Sequence, residues 1–489
     1  MIAFNQPLSN LKPWVRSLPQ GLLDLEIQNI CFDSRDVSHG DAFFVLPSVA
    51  ANEWLYVEQA IQNGVAVIVA NESLRSELEG LTTAYICVDN IMNVAGDVLA
   101  HCLYQSQLNM DVIGITGTNG KSSISFYLAQ LLTELKRNCA VMGTVGYGQW
   151  DDLKPSGMTT LPLEKLHHVL DELSENYQAV AMEVSSHGLE QNRLAGVKFD
   201  GAVFSNLSRD HLDYHGTMDA YGEAKALLFK RPELKFAVLN ADDSFSEKLA
   251  AHCAVKPVFY GQADQADLRF EIHKMHAQGM SVEFTWQQQA QLVNLPLFGL
   301  FNVENVAAAI LVCLQLGYGL EQTASACAAI APVPGRMQQV MVQAQQPLVL
   351  VDYTHTPDAL EQILAATRAH TQGCITLVVG CGGDRDQGKR PLMGKIALQY
   401  ADKTVITSDN PRSEEPSLIC QQMVEGLKGE FEIELDRVQA IQKAIMGANA
   451  DDIVIIAGKG HEDYQEIKGQ RRYFSDAEEA KKALLGNQA

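Results

Sequence analysis

Short runs of consecutive apolar residues recur along this chain, and most of them end in Gly, Asp, Asn or Ser. The clearest are 65–70, Val112-Ile-Gly-Ile115, Ala202-Val-Phe204, Leu348-Val-Leu-Val351, Ile375-Thr-Leu-Val-Val379, Thr404-Val-Ile406 and Ile453-Val-Ile-Ile-Ala457. Such runs predict strands covered on both faces, as in a parallel sheet. Stretches with helical spacing lie between them, at 57–64, 359–370, 392–400 and 418–426. Strict alternation is confined to Leu268-Arg-Phe-Glu-Ile272 and Ser281-Val-Glu-Phe-Thr-Trp286, which predict a β-rich excursion over 262–298. A long apolar helix follows, with Asn302 expected as its N-cap. Strand-helix alternation on this scale predicts an α/β protein.

Pro332-Val-Pro-Gly-Arg336 breaks any helix and reads as a hinge. With the length of 489 residues it suggests three domains, at 1–108, 109–332 and 333–489. The first reads as a small α/β domain, the second as a phosphate-loop domain with a mainly parallel sheet, the third as a Rossmann-like α/β domain. No internal repeat or low-complexity tract is apparent.

Composition narrows the class. A net charge of −22 argues against a protein that grips nucleic acid or an anionic membrane face. The ten cysteines are scattered, form no C-x-x-C pair and sit partly in apolar runs, so they read as thiols of a reducing compartment. Residues 1–20 lack the charged start and apolar core of a secretory signal, and no apolar stretch reaches a membrane-spanning length. A cytoplasmic monomer is expected.

The strongest chemical signal is Gly117-Thr-Asn-Gly-Lys-Ser122, with Ser123 continuing into a helix. Strand, glycine loop, Lys-Ser and helix make a phosphate cradle: backbone N–H groups face an anion, Lys121 adds charge, and a Ser122 hydroxyl can sit on magnesium. The loop is shorter than G-x-x-x-x-G-K-[ST], because Ile115 stands where the first Gly would be. Glu183, at the end of Val180-Ala-Met-Glu183, is placed to hold magnesium beside it. Asn206, Ser208, Arg209, Asp210, His211, Asp213 and His215 crowd the end of a further strand, where open sheets place their sites. Lys225 reads by composition as a surface lysine. Four loops of the last domain follow parallel strands and are expected at one edge: 353–358, 380–386, 408–412 and 458–462.

Taken jointly and in order, these motifs resemble the Mur ligases, the ATP-dependent amide ligases of peptidoglycan precursor synthesis. The resemblance rests on Gly117-Thr-Asn-Gly-Lys-Ser122, Met182-Glu-Val-Ser-Ser-His-Gly188, Asn206-Leu-Ser-Arg-Asp-His-Leu-Asp-Tyr-His-Gly216, Asn302 with Asn305, Pro334-Gly-Arg336 and Asp352-Tyr-Thr-His-Thr-Pro-Asp358. Asp409-Asn-Pro-Arg412 points to members that add meso-2,6-diaminopimelate to UDP-N-acetylmuramoyl-L-alanyl-D-glutamate. The resemblance implies a UDP-substrate domain, an ATP domain and an amino-acid domain, in that order. It implies ATP and Mg2+, with Gly117, Thr118, Asn119, Gly120, Lys121, Ser122 and Ser123 around the phosphates. Glu183 and His211 match magnesium ligands, and Lys225 falls where the family carries a carbamylated lysine, itself a metal ligand. Asn302, Arg336 and Asp352 are expected at the nucleotide and His355 near the phosphates. For the UDP-muramoyl dipeptide the matching positions are Phe32, Ser34, Thr159, Thr160, Ser185, Gln191 and Arg193. For diaminopimelate they are Arg385, Asp409, Asn410, Pro411, Arg412, Gly458 and Glu462.

Two positions depart from the family pattern. Ser48-Val-Ala-Ala-Asn-Glu53 stands where G-H-Q-x-D-G is usual, and Met158 replaces the Asn before the two threonines. Three alternatives stay open on sequence alone: a lysine-adding relative, a folate polyglutamate ligase, and a non-catalytic nucleotide-binding descendant. Arg412 opposes the first, Asp409-Asn-Pro-Arg412 with Val184-Ser-Ser-His-Gly188 the second, and retention of Lys121, Glu183, His211 and Lys225 the third.

Overall fold

The computed structural model describes residues 1–15, 18–47, 52–105, 108–276, 278–343 and 345–486. Positions 48–51 of the departing uridine-side stretch lie outside them. The chain gathers into two compact units: Met1–Lys121 with Lys136–Leu239 and Asp243–Val258, and Ser122–Leu135 with Asn240–Asp242 and Phe259–Ala489.

The first unit holds two sheets. One runs in chain order through Ile2–Pro7, Glu26–Cys31, Ala42–Phe44, Val67–Asn71 and Ala84–Val88, antiparallel at its first pair and parallel thereafter. Val67, Ile68, Val69 and Ala70 are all fully buried, because the strand packs core on both faces. The helices Glu53–Gln62 and Ile91–Tyr104 flank it. Each is N-capped as its sequence dictates, Asn52 accepting from the Trp54 amide and Asn90 from the Asn93 amide.

In the second sheet of this unit the strands run Phe236–Asn240, Gly201–Phe204, Asp111–Thr116, Ala179–Glu183, Cys139–Met142, all parallel. Asp111–Thr116 is flanked on both sides, so the loop that follows it emerges mid-sheet. The helix Met218–Phe229 buries Lys225 to 1% exposure, contrary to its reading as a surface lysine.

The second unit contains the alternating segments as an antiparallel meander, Leu268–His276, Gly279–Trp286 and Gln289–Leu295. The helix Leu300–Gln315 follows, and eleven of its sixteen residues are buried. Asn302 is not its N-cap. Gly299 takes that position at φ +85°, and Asn302 sits in the first turn, donating from Nδ2 to Phe298 O at 2.9 Å. The positive φ suits glycine, which is why the helix begins earlier than the Asn suggests.

The last sheet runs Gln338–Val340, Leu348–Asp352, Ile453–Ala457, Ile375–Val379, Lys403–Ile406, Glu432–Ile433. Only its first pair is antiparallel. Loops 353–358, 380–386, 408–412 and 458–462 therefore leave the same edge, as the parallel reading expects. Behind that edge the fully buried Arg437 and Asp476 form a two-pronged pair, Nε and Nη2 each 2.7 Å from a carboxylate oxygen. Arg437 Nη2 also donates to Ala457 O at 3.0 Å, so the pair is hydrogen-bonded into the end of a central strand. None of the ten cysteines is in a disulfide. Among the described residues no helix is long and apolar enough to cross a membrane.

Candidate active site

The phosphate loop is built tightly. Gly117 has φ +149°, and a Cβ there would lie 1.9 Å from Ser205 Oγ, so a side chain is excluded by the neighbouring strand end. Thr118 N donates to Asn206 O at 2.8 Å and Asn119 N to Asn206 Oδ1 at 3.0 Å. Ser208 N donates to Thr118 Oγ1 at 3.0 Å. The segment 205–208 thus pins the loop through its backbone. Gly117→Ala is expected to lower the melting temperature by several degrees and raise the KM for ATP, read by thermal denaturation and phosphate release. An unchanged KM would show that the loop tolerates the shift.

Two lysines meet at this loop. Lys121 Nζ donates to Gly117 O at 2.9 Å and to Thr118 O at 2.8 Å. Lys225 Nζ donates to the same Gly117 O at 2.9 Å and lies 4.2 Å from the centre of the Tyr221 ring. Burial, and then the Lys121 ammonium beside it, push Lys225 well below the ordinary lysine value, while Asp210 pulls weakly the other way. Burial and a neighbouring cation both favour the neutral amine, and a neutral amine is a nucleophile.

Glu183 ends its strand at 1% exposure. Its carboxylate accepts from Thr144 N at 2.9 Å and Thr144 Oγ1 at 3.1 Å. The Thr144 hydroxyl lies 3.0 Å from that of Thr159. His211 is exposed, at φ +53°, with its ring 5.0 Å from His187 and 6.0 Å from Tyr221. The Tyr221 ring neighbours both His211 and Lys225. His215 joins the same cluster, its ring 5.2 Å from Tyr221 and 5.3 Å from His187, while Nε2 is 2.9 Å from Ser186 Oγ and Nδ1 3.2 Å from Glu190 Oε2. Among the described residues no three His, Cys, Asp or Glu side chains group as a ready metal cage.

A cleft of about 800 Å³ opens in the same unit, lined in part by Leu46, Asn71, Asp89, Met158, Gln191 and Arg193. Arg193 grips Gln191 Oε1 from Nε at 2.9 Å and Nη2 at 2.6 Å, and donates from Nη1 to Thr160 O at 3.0 Å. Met158 Sδ lies 3.6 Å from Arg193 Nη1, so the departing residue still touches the arginine. Thr160 and Ser185 stand behind this wall. Thr160 Oγ1 accepts from Ser185 N at 3.0 Å and donates to Glu183 O at 3.1 Å. Phe32 packs against Phe44, and Ser34 Oγ donates to Gln59 at 2.6 Å; neither lines the cleft.

In the second unit, Asp352 is buried and commits its carboxylate to backbone: Oδ2 accepts from Met337 N at 2.7 Å and Oδ1 from Thr354 N at 2.8 Å. Burial pushes its carboxyl up, and those hydrogen bonds oppose the shift. Arg336 stacks over Tyr353, 4.8 Å from the ring centre. His355 Nδ1 donates to Tyr353 O at 2.9 Å, and desolvation by the surrounding protein lowers the ring's pKa. Asn302 Oδ1 accepts from Tyr127 OH at 3.0 Å, tying the helix Lys121–Glu134 to the start of Leu300–Gln315.

The sheet edge brings the expected amino-acid residues together. A Cβ at Gly458, which has φ +124°, would meet Asp409 Oδ2 at 2.5 Å; one at Gly382 would lie 3.0 Å from Arg412 Nη1 and 3.7 Å from Arg385 Cγ. Asn410 Nδ2 donates to Glu462 Oε2 at 2.8 Å. Arg412 is left-handed at φ +51° and donates from Nη1 to Gly383 O at 2.7 Å.

Two family matches cover most of the chain: the Mur ligase middle domain at residues 115–313 and the Mur ligase, glutamate ligase domain at 335–460. A relative from Chromobacterium violaceum is 41% identical over 98% of this chain and 98% of its own length. It is described as "UDP-N-acetylmuramoyl-L-alanyl-D-glutamate--2,6-diaminopimelate ligase". The chain belongs to the Mur ligase family. A solved structure of a protein with that same description is 36% identical, with a TM-score of 0.76 over 98% of this chain and 99% of that one. A MurF ligase from Thermotoga maritima in complex with ADP shares the fold, at 19% identity and a TM-score of 0.63 over 94% of this chain and 98% of its own.

This Mur ligase also carries site residues that its sequence did not single out. A hairpin, Tyr464–Ile467 with Gln470–Tyr473, fastens the Asp409–Arg412 turn residue by residue. Gln465 Nε2 donates to Asp409 O at 2.8 Å, Glu466 N to Asn410 Oδ1 at 2.9 Å, Arg412 N to Glu466 O at 3.1 Å, and Lys468 N to Arg412 O at 2.6 Å. The glycine of the two-residue turn Lys468-Gly469 was the available signal for the hairpin. Nothing local marks its partner. Thr144, which holds Glu183, had no signal at all.

Proposed function

We propose that this Mur ligase joins meso-2,6-diaminopimelate to UDP-N-acetylmuramoyl-L-alanyl-D-glutamate, with ATP converted to ADP and phosphate. The observation that carries the reading is the hairpin-fastened turn Asp409–Arg412 beside Glu462, in a chain whose near-full-length relative bears that substrate in its description. A forked guanidinium recognises the second carboxylate that distinguishes diaminopimelate from lysine, and an acidic group beside it accepts the ammonium on the same carbon. The nucleotide in the structure of the Thermotoga maritima ligase supports ATP as the energy source.

The D-glutamate carboxylate oxygen attacks the γ-phosphorus of ATP, and ADP leaves. An amine of diaminopimelate then attacks the acyl carbon, phosphate departs, and the nitrogen loses its proton as the amide forms. The first step needs positioning and charge neutralisation more than covalent help. Lys121 and the loop amides from Gly117 to Ser123 cradle the phosphates. Asn302, Arg336 and Asp352 shape the nucleotide side, and His355 offers Nε2 toward the phosphates. The cleft of Gln191 and Arg193, with Thr159, Thr160 and Ser185 behind it and Ser34 and Phe32 on the uridine side, takes the acceptor.

Ser122, Glu183, His211 and a carbamate on Lys225 would hold magnesium. The fit is chemical: oxygen donors, the ligands magnesium prefers, predominate in this set. Held there, magnesium would supply charge neutralisation for phosphoryl transfer. Neutral Lys225 Nζ adds to CO2 and releases one proton, turning an amine into an anionic oxygen ligand. The three segments 1–108, 109–332 and 333–489 act as acceptor, nucleotide and amino-acid domains of one monomeric cytoplasmic enzyme.

The decisive experiment is the amino-acid dependence of phosphate release. Release is expected only when UDP-muramoyl dipeptide and meso-diaminopimelate are both present, with L-lysine giving less than about one hundredth of the rate, because Arg412 would be left unpaired. Equal turnover with lysine would sink the specificity reading.

A further inference from the structure

Lys459 is fully buried among the amino-acid loops, yet it lies on no surface that a substrate reaches. Its Nζ donates to Asn410 Oδ1 and to Glu462 Oε2, each at 3.0 Å, with Asp409 Oδ1 at 3.8 Å and the Tyr464 ring centre at 5.3 Å. An ammonium can only donate. Together with the Glu466 amide, it therefore decides which end of the Asn410 side chain is oxygen. The Asn410 NH2 is then turned toward Glu462, and two donors lock Glu462 Oε2 in place. The remaining oxygen, Oε1, is the acceptor this arrangement presents. A cation in this position also counters two carboxylates, Asp409 and Glu462, that sit within one loop cluster; the nearby Arg437 is already matched by Asp476.

We propose that Lys459 is a positioning residue for the amino-acid substrate: it fixes the Asn410 amide and the Glu462 carboxylate in the orientation that receives the ammonium of diaminopimelate. This rests on the reading that Asn410, Arg412 and Glu462 form the amino-acid pocket. Lys459 acts through those side chains and touches no substrate atom.

The test is steady-state kinetics on the full-length enzyme, varying each substrate in turn. Lys459→Met is expected to raise the KM for meso-diaminopimelate at least tenfold while those for ATP and UDP-muramoyl dipeptide stay within twofold. Glu462→Gln is expected to do the same, and the double variant to be little worse than the worse single one, because both act through one carboxylate. A uniform rise in all three KM values, or multiplicative effects in the double variant, would overturn the proposal. If Lys459→Met fails to fold, Lys459→Arg serves instead. It keeps the charge but cannot seat one compact ammonium between Asn410 and Glu462, so an unchanged KM for diaminopimelate would overturn the idea. Arg412→Ala separates the two layers. If it too leaves that KM unmoved, the pocket itself is misassigned and both readings fall; if it raises the KM and the Lys459 variants do not, only the role of Lys459 falls.

Discussion

Lys225→Ala is expected to lower turnover by about 10²–10³-fold, the loss typical when one preorganised charge-stabilising group is removed. The fold should survive, because Gly117 O keeps its hydrogen bond from Lys121 when the Lys225 side chain is gone. The melting temperature should therefore fall by only a few degrees. Two structural facts make the residue more than a buried cation. It is 1% exposed, its nitrogen meets a carbonyl and an aromatic face, and Lys121 shares that carbonyl. A second ammonium at the same oxygen favours the neutral amine, which is the form that takes up CO2. Formate or acetate should restore part of the activity of the alanine variant, since a small carboxylate can occupy the space the carbamate would fill. Wild-type rates without additive would refute the carbamate role. Full loss with no rescue would leave a charge role for the amine and remove the oxygen-ligand role.

For Arg412→Ala, the KM for meso-diaminopimelate is expected to rise about 10- to 100-fold, with that for ATP changing less than threefold. The magnitude is that of a charge-assisted hydrogen-bond pair, about 1.5–3 kcal/mol. The selectivity comes from where the side chain is held. Arg412 sits left-handed at φ +51°, a costly conformation for any residue with a side chain, and the hairpin holds it there from both its N–H and its C=O. One guanidinium nitrogen is committed to Gly383 O, which aims the rest of the fork. Truncation to alanine leaves those backbone bonds in place, so the turn should persist and the effect should stay local. An equal rise in both KM values would take Arg412 out of the pocket.

The phosphate loop was legible because its signal is local. A buried strand, two loop glycines and Lys-Ser, all between Asp111 and Ser122, dictate a turn into a helix N-terminus, and the packing of Gly117 against Ser205 accounts for the first glycine. The parallel edge of the last sheet was equally legible, since continuous apolar runs separated by helices admit few other arrangements. Asn302 shows where local reasoning failed: a good capping residue was displaced by Gly299, whose positive φ starts the helix sooner. Lys225 shows the larger failure. A single lysine in a helix carries no mark of burial, and only the packing of Met218–Phe229 against the loop reveals it.

The amino-acid sequence by itself determined the element types, their order, the phosphate cradle and the identity of the loops that meet at each sheet edge. These follow from side-chain periodicity and backbone sterics, which act within a few residues. Tertiary structure alone decided which polar groups share an environment: Lys121 with Lys225, Thr144 with Glu183, Lys459 with Asn410 and Glu462, Arg437 with Asp476. Most of those partners lie tens of residues apart. Their meeting depends on strand pairing and on the low dielectric of the interior, where a charge is tolerated only beside the partner that the fold delivers.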